Sequence, residues 1–348
     1  MKDFNNYDLN KIHKLKKRLK RGENPKIIIF NAPRAPEVND LTSLINIGKT
    51  KIPYKNINYK VLWDILPELE ELNNLIGLKD LKETIFYQII YYLQKLHEKS
   101  RDEYLHTVIL GSPGTGKTSV AKILGEIYKK LKVLSQDGVF KIAKREDMVG
   151  EYLGQTAVKT KKLLESCKGG VLFIDEVYAL GPGQKDRDSY SKECIDTLNA
   201  FLSENKDNFC CIVAGYEEEV KKCFFSVNAG LERRFQWVHR IKEYSNEDLA
   251  HMCIKKIKDI EWNTSITIQE FTKVIEKNKE LFKNFGGDVE NLIGKSKLSH
   301  AKRVFSLESS DKFNITIEDI EGAIEYMKNN KLKDDIDKFD KPPPMMYL

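Results

Sequence analysis

Eight consecutive residues constrain this chain more than any other stretch of it: Gly111-Ser112-Pro113-Gly114-Thr115-Gly116-Lys117-Thr118, with Ser119 following. They lie between an apolar run, Thr107-Val108-Ile109-Leu110, and a stretch at 120–131 patterned as a helix. A G-x-x-x-x-G-K-T segment in that setting turns successive backbone N–H groups inward, and the helix N-terminus behind it adds a favourable dipole. The expected ligand is the β-phosphate of a nucleoside triphosphate. Lys117 reaches the β- and γ-phosphates as a point charge, and Thr118 offers a hydroxyl to Mg²⁺.

A second anchor is Asp175-Glu176, at the end of Val171-Leu172-Phe173-Ile174. Such a continuous apolar run is expected of a central strand covered on both faces. Phosphoryl transfer needs the Mg²⁺ held from a second direction, which suits Asp175, and a water oriented for in-line attack, which suits Glu176. A strand-terminal carboxylate pair is weak evidence alone; its place roughly 60 residues after the glycine loop gives it meaning.

Further strands are expected at 139–143 and 210–214, with helices from about 78 to 97, at 160–167 and at 195–202. The alternation implies a doubly wound parallel sheet. After about residue 243 the strand runs stop, and capped amphipathic helices follow, as at Ser245-x-x-Asp248 and Thr316-x-x-Asp319. The expected fold is α/β, a P-loop NTPase parallel sheet with flanking helices, followed by a small all-α domain. The expected segments are an extension at 1–70, a nucleotide-binding domain at 71–242, a helical domain at 243–330 and a charged, Pro-rich tail at 331–348 read as disordered. The pattern over 41–69 is too weak to assign, and 27–30 reads as one short strand.

At 348 residues, with 41% hydrophobic and 32% charged side chains, the chain has room for two cores and is not of disordered composition. No stretch approaches the ~18 apolar residues of a membrane span, and the N-terminus lacks the apolar core of a signal peptide. A cytoplasmic or nuclear location is expected. The Lys-, Asn- and Ile-rich usage suggests an AT-rich genome such as that of a large DNA virus, in which case the place is the host cytoplasm. Six cysteines show no CxxC pair and no histidine pattern, so reduced core thiols are expected rather than a zinc site or a disulfide framework.

The net charge of +6 is local. Residues 1–26 hold nine of the 58 basic side chains and three of the 52 acidic ones, so the remainder balances. The stretch 11–21 reads as a short basic helix. It could contact nucleic acid or direct nuclear import, but with no aromatic interleaved a solvated leader is the favoured reading.

With both anchors in place, the sequence resembles AAA+ ATPases of the CbbX/CfxQ group. The resemblance is carried by LIGLKDLKETI (75–85), GSPGTGKTS (111–119), GEYLGQTA (150–157), GGVLFIDEVYAL (169–180), CIVAGYEEEV (211–220) and FFSVNAGLERRF (224–235). It implies that the helical domain is an AAA+ lid and that Ile76 and Gly77 contact the adenine. It also implies that Arg234, assisted by Arg233, reaches into a neighbouring subunit's site to stabilise charge on the transferring phosphoryl group. Tyr152-Leu153-Gly154 matches the loop that lines the central pore of AAA+ rings and grips a threaded polypeptide. A flat aromatic beside glycine can hold many sequences by apolar contact without reading them.

Two departures stand out. Where many relatives place a γ-phosphate-sensing asparagine, the matching residue is Tyr216, which either positions water through its hydroxyl or marks a missing sensor. In FGGDVENL (285–292), Gly287-Asp288 stands where CbbX-like proteins often carry a nucleotide-touching arginine.

The function expected is therefore ATP hydrolysis with Mg²⁺ in a self-assembled, hexameric ring that remodels or threads a client protein, with no membrane partner. CbbX acts on Rubisco, a client that nothing in this sequence carries across. A nucleic-acid-directed ATPase like the clamp or helicase loaders stays open through the basic leader, though the neutral body opposes it. A slow nucleotide-binding scaffold stays open through Tyr216 and the missing lid arginine.

Overall fold

The computed structural model describes residues 33–99, 103–152, 154–182, 189–305 and 312–339, with side chains as far as 329. The basic stretch 11–21, the strand expected at 27–30 and residues 340–348 of the tail lie outside those residues, whereas 331–339, expected to be disordered, continue the last helix. By their contacts, the described residues up to Gly111 together with those of Lys117–Ile241 form one unit, and Ser112–Gly116 with the described residues from Lys242 onward form a second.

The first unit is built on five parallel strands: β1 (Thr107–Leu110), β2 (Phe140–Ala143), β3 (Val171–Ile174), β4 (Cys210–Gly215) and β5 (Trp237–Arg240), in the order β2-β3-β4-β1-β5. Alternate residues of the strands supply two cores, as the two-residue period of a strand requires. Ile109, Phe173 and Ile212 enter one; Val108, Leu172 and Val213 enter the other. Both faces are covered, which is why β1, β3 and β4 read as unbroken apolar runs.

The core on the Phe173 face is shared by helices the sequence pattern did not reveal. These are α1 (Leu41–Lys49), α2 (Tyr59–Asp64) and α3 (Leu66–Asn73), ahead of α4 (Lys79–Leu93) and α5 (Lys117–Lys130). Leu44, Ile65, Leu69 and Leu72 are fully buried there. The span 41–73 is thus part of the first unit and not a separate extension. Each of these helices lasts only two turns or so, too short for a 3.6-residue period to stand out. The start of α1 is set by Asp40, whose carboxylate accepts from the Ser43 N–H at 2.7 Å while the Ser43 hydroxyl accepts from Asp40 N–H at 3.1 Å. This reciprocal cap uses serine where glutamate or glutamine is usual. The second core is closed by α6 (Arg145–Met148), α7 (Thr156–Glu165) and α8 (Ser189–Glu204).

Edge strand β5 was not foreseen, because Trp237-Val238-His239-Arg240 mixes polar and apolar side chains. His239 is fully buried, and neither ring nitrogen has a partner among the described residues. Burial pushes its pKa from 6.5 down to about 4. Between those two values the unfolded chain binds the extra proton and the folded chain does not, so stability falls as pH drops from 6.5 toward 4. On the order of 3 kcal/mol is at stake over that window. Denaturant midpoints of the wild type should fall across it, and His239→Leu should flatten the fall; an equal slope in both proteins would assign the loss elsewhere.

The second unit holds α9 (Asn246–Asp259), α10 (Ile268–Lys277), α11 (Gly286–Val304) and α12 (Ile317–Phe339) around a core including Phe271, Val289 and Ile320. Ser245 and Asp248 form the expected capping box. Asp319, buried, accepts from the Thr316 N–H at 3.0 Å and from Arg303 Nε at 2.8 Å, cross-bracing α11 and α12. The expected domain is all-α; among its described residues the unit also carries one parallel strand pair, β6 (Asn263–Thr264) with β7 (Asn314–Ile315). With two residues on each side and Ile315 alone among them apolar, there is no apolar run to read.

Candidate active site

The glycine loop leaves the end of β1, where the Gly111 N–H donates to the Gly215 carbonyl of β4 at 3.1 Å. Gly114 and Gly116 have φ of 68° and 85°, with Thr115 between them outside the left-handed region. Such alternation turns consecutive N–H groups to one side and makes an anion-binding concavity. Glycine is required at 114 for a second reason: a Cβ there would lie 1.8 Å from the Asn284 carbonyl oxygen. Carbonyls on the loop's other side have donors. Gly111 O accepts from Lys117 Nζ at 3.0 Å, and Ser112 O from the Thr115 hydroxyl at 2.7 Å. Burial lowers the Lys117 pKa, and the charges of Asp175 and Glu176 work against that.

Thr118 and Asp175 lie together, with the Thr118 hydroxyl donating to Asp175 Oδ2 at 3.1 Å. A hydroxyl and a carboxylate oxygen side by side suit Mg²⁺, which binds few protein ligands and keeps several waters. Among the described residues no group of three or more His, Cys, Asp and Glu side chains could hold another metal ion. Glu176 follows with its carboxylate exposed and φ at 49°. A glutamate in left-handed backbone is strained, and strain of this kind gathers at functional sites. Ser119 is exposed on the first turn of α5.

Tyr216 lies against this cluster. Its ring centroid is 5.6 Å from Lys117 Nζ and 5.7 Å from the ring of Tyr178. Tyr178, which sequence reasoning passed over, has its pKa raised to about 12, by burial first and the Glu176 charge second. It stays a neutral hydroxyl beside the glutamate. The FIDEVYAL segment contained it, but an aromatic after an acidic pair has no signature separable from packing.

The other expected residues fall in three places. Ile76 and Gly77 are half-buried in the bend between α3 and α4, which Lys82 Nζ ties down through the carbonyls of Asn73 (2.9 Å) and Leu75 (2.6 Å). Tyr152 is 67% exposed. Its loop is anchored at the base, where the Gly150 N–H donates to the Thr156 hydroxyl and Lys159 Nζ to the Val149 carbonyl, both at 3.0 Å. Leu153 lies outside the described residues, and Gly154 has a φ of 81°. Arg233 is exposed, whereas Arg234 is half-buried, its Nε donating to the Ser203 hydroxyl at 2.8 Å and Nη1 to the Gly230 carbonyl at 2.5 Å. Neither arginine bonds to the Lys117–Asp175 cluster of its own chain.

The profile described as "ATPase family associated with various cellular activities (AAA)" matches residues 107–238, from β1 to β5. A cfxQ-like protein of Acanthamoeba polyphaga mimivirus is 38% identical over 300 residues, covering 84% of this chain and 73% of its own. The chain belongs to the AAA ATPase family, within its CbbX/CfxQ group. Protein CbbX of Cereibacter sphaeroides is 32% identical over 69% of this chain and 80% of its own. Among solved structures, the FIGL-1 AAA domain in complex with ADP superposes with a TM-score of 0.51 at 16% identity, covering 76% of this chain and 89% of that one. At that identity the likeness speaks for the fold alone. This AAA protein is therefore a nucleotide-binding ATP hydrolase. No helix among its described residues is long and apolar enough to cross a membrane.

Proposed function

We propose that this ATPase works as a hexameric ring that remodels or threads a client protein, with Mg·ATP bound at the subunit interfaces. In this reading the loop 111–119 cradles the phosphates and Ile76-Gly77 holds the base. Lys117 neutralises the β- and γ-phosphates, and Thr118 with Asp175 holds the Mg²⁺, which supplies charge stabilisation on the transferring group. Glu176 orients the attacking water and takes its proton. Tyr216, beside Lys117, stands in for the usual asparagine and orients water through its hydroxyl. Arg234, its fork preset by Ser203 and Gly230, completes the neighbouring subunit's site, with exposed Arg233 beside it.

The observation that carries the threading part is Tyr152, two-thirds exposed at the tip of a loop anchored at its base. A tyrosine that merely packed on the sheet would be buried. A continuous set of contacts runs from the carboxylates to this loop. The turn Val177–Leu180 follows Glu176 directly, and the Ala179 carbonyl accepts from Arg145 Nη1 at 2.7 Å. Arg145 opens α6, whose end leads into the Tyr152 loop.

An unstructured polypeptide such as casein should stimulate ATP turnover by the wild type. Tyr152→Ala should keep basal turnover and lose the stimulation. Stimulation by casein that survives in Tyr152→Ala contradicts the threading assignment, and stimulation by DNA in place of casein favours the nucleic-acid-directed reading.

A further inference from the structure

Residues Ser112–Gly116 of the glycine loop belong by their contacts to the C-terminal unit, and two other residues of that unit bond to them directly. The Tyr244 hydroxyl donates to the Thr115 carbonyl at 2.9 Å, and the Gly286 N–H donates to the Gly114 carbonyl at 3.1 Å. A peptide plane carries its C=O opposite its N–H. Fixing the carbonyls of Gly114 and Thr115 on the outer side therefore fixes the N–H groups of Thr115 and Gly116 on the inner side, where an anion binds. We infer that Tyr244 is a positioning residue for ATP binding: its hydroxyl, together with the Gly286 N–H, holds the phosphate loop in its anion-binding form before nucleotide arrives. The inference rests on the phosphate-cradle reading of residues 111–118.

The surroundings are built for this contact. Burial raises the Tyr244 pKa to about 12, so the hydroxyl keeps its proton throughout the working pH range. Its ring packs edge-on against Phe285, centroids 5.9 Å apart. Phe285 itself has a φ of 46°, a left-handed conformation costly for a bulky residue. That turn delivers the Gly286 N–H to the loop, and a Cβ at Gly286 would lie 2.9 Å from the Gly114 oxygen. Asp288 accepts from the Asn284 N–H at 2.6 Å and secures the same turn.

Tyr244→Phe removes one donor and keeps the ring. A single net hydrogen bond corresponds to about a fivefold change in affinity. Calorimetry on the full chain should give a Kd about fivefold weaker for ADP and, by the same factor, for pyrophosphate, which has no base or sugar. KM for ATP should rise likewise with kcat within about twofold, and the melting transition without nucleotide should stay cooperative and shift by no more than a few degrees. Unaltered affinity for both ligands, or a loss for ADP with none for pyrophosphate, overturns the inference. Lys117→Ala measured alongside keeps the two readings apart: binding lost there but intact in Tyr244→Phe rejects the positioning role only, whereas binding intact in both rejects the phosphate cradle itself.

Discussion

Glu176→Gln is expected to lower ATP turnover by about a hundredfold or more while ATP still binds. General-base catalysis contributes roughly 10²–10⁴ in rate, and glutamine keeps the shape and hydrogen-bonding reach of glutamate but cannot take a proton. The variant leaves Lys117, Thr118 and Asp175 untouched, so the groups proposed to hold phosphate and Mg²⁺ remain. Single-turnover measurement should show bound ATP persisting, with Kd close to that of the wild type. Lys117→Ala acts at the other end, removing the half-buried cation and abolishing binding. Wild-type turnover in Glu176→Gln would remove Glu176 from the reaction and leave the strain at its φ of 49° without a catalytic reason.

Arg234→Ala is expected to cost on the order of 10³ in turnover, the lower range for arginines that complete a phosphoryl-transfer site from outside. Its guanidinium bonds to Ser203 and Gly230 and to nothing in its own chain's phosphate cluster, so its absence should be felt by the neighbour. Mixing Arg234→Ala with Lys117→Ala subunits tests this. Each lacks what the other supplies, and some interfaces in the mixture pair an intact cradle with an intact arginine, so activity should return on mixing. Arg233→Ala should cost far less. A dead Arg233→Ala beside an active Arg234→Ala would exchange their roles.

The parts of this molecule legible in its sequence are those where chemistry forces residue identity. Gly114 and Gly116 must adopt left-handed backbone, Lys117, Thr118 and Asp175 must present specific groups, and β1, β3 and β4 must be apolar on both faces. The strands that pair at the centre of the sheet could be read for the same reason. What escaped notice is held together by context. Helices α1–α3 owe their stability to burial of Leu44, Ile65, Leu69 and Leu72 in a shared core, and helices so short carry little periodic signal. Edge strand β5 is made by pairing with β1, in spite of Arg240 and His239. Tyr178 and Tyr244 act through where the chain places them, and a tyrosine following an acidic pair or preceding a capping box has no spacing that announces such a contact. The bonds from Tyr244 and Gly286 to the glycine loop became visible only in three dimensions.

The central claim is that catalysis is shared between subunits, and its most direct test is steady-state turnover per chain over a wide range of protein concentration. The shared site predicts a rise as subunits assemble, a plateau once rings are complete, and collapse to a low, concentration-independent rate in Arg234→Ala. Turnover per chain that is flat with concentration and unaltered in Arg234→Ala would contradict it.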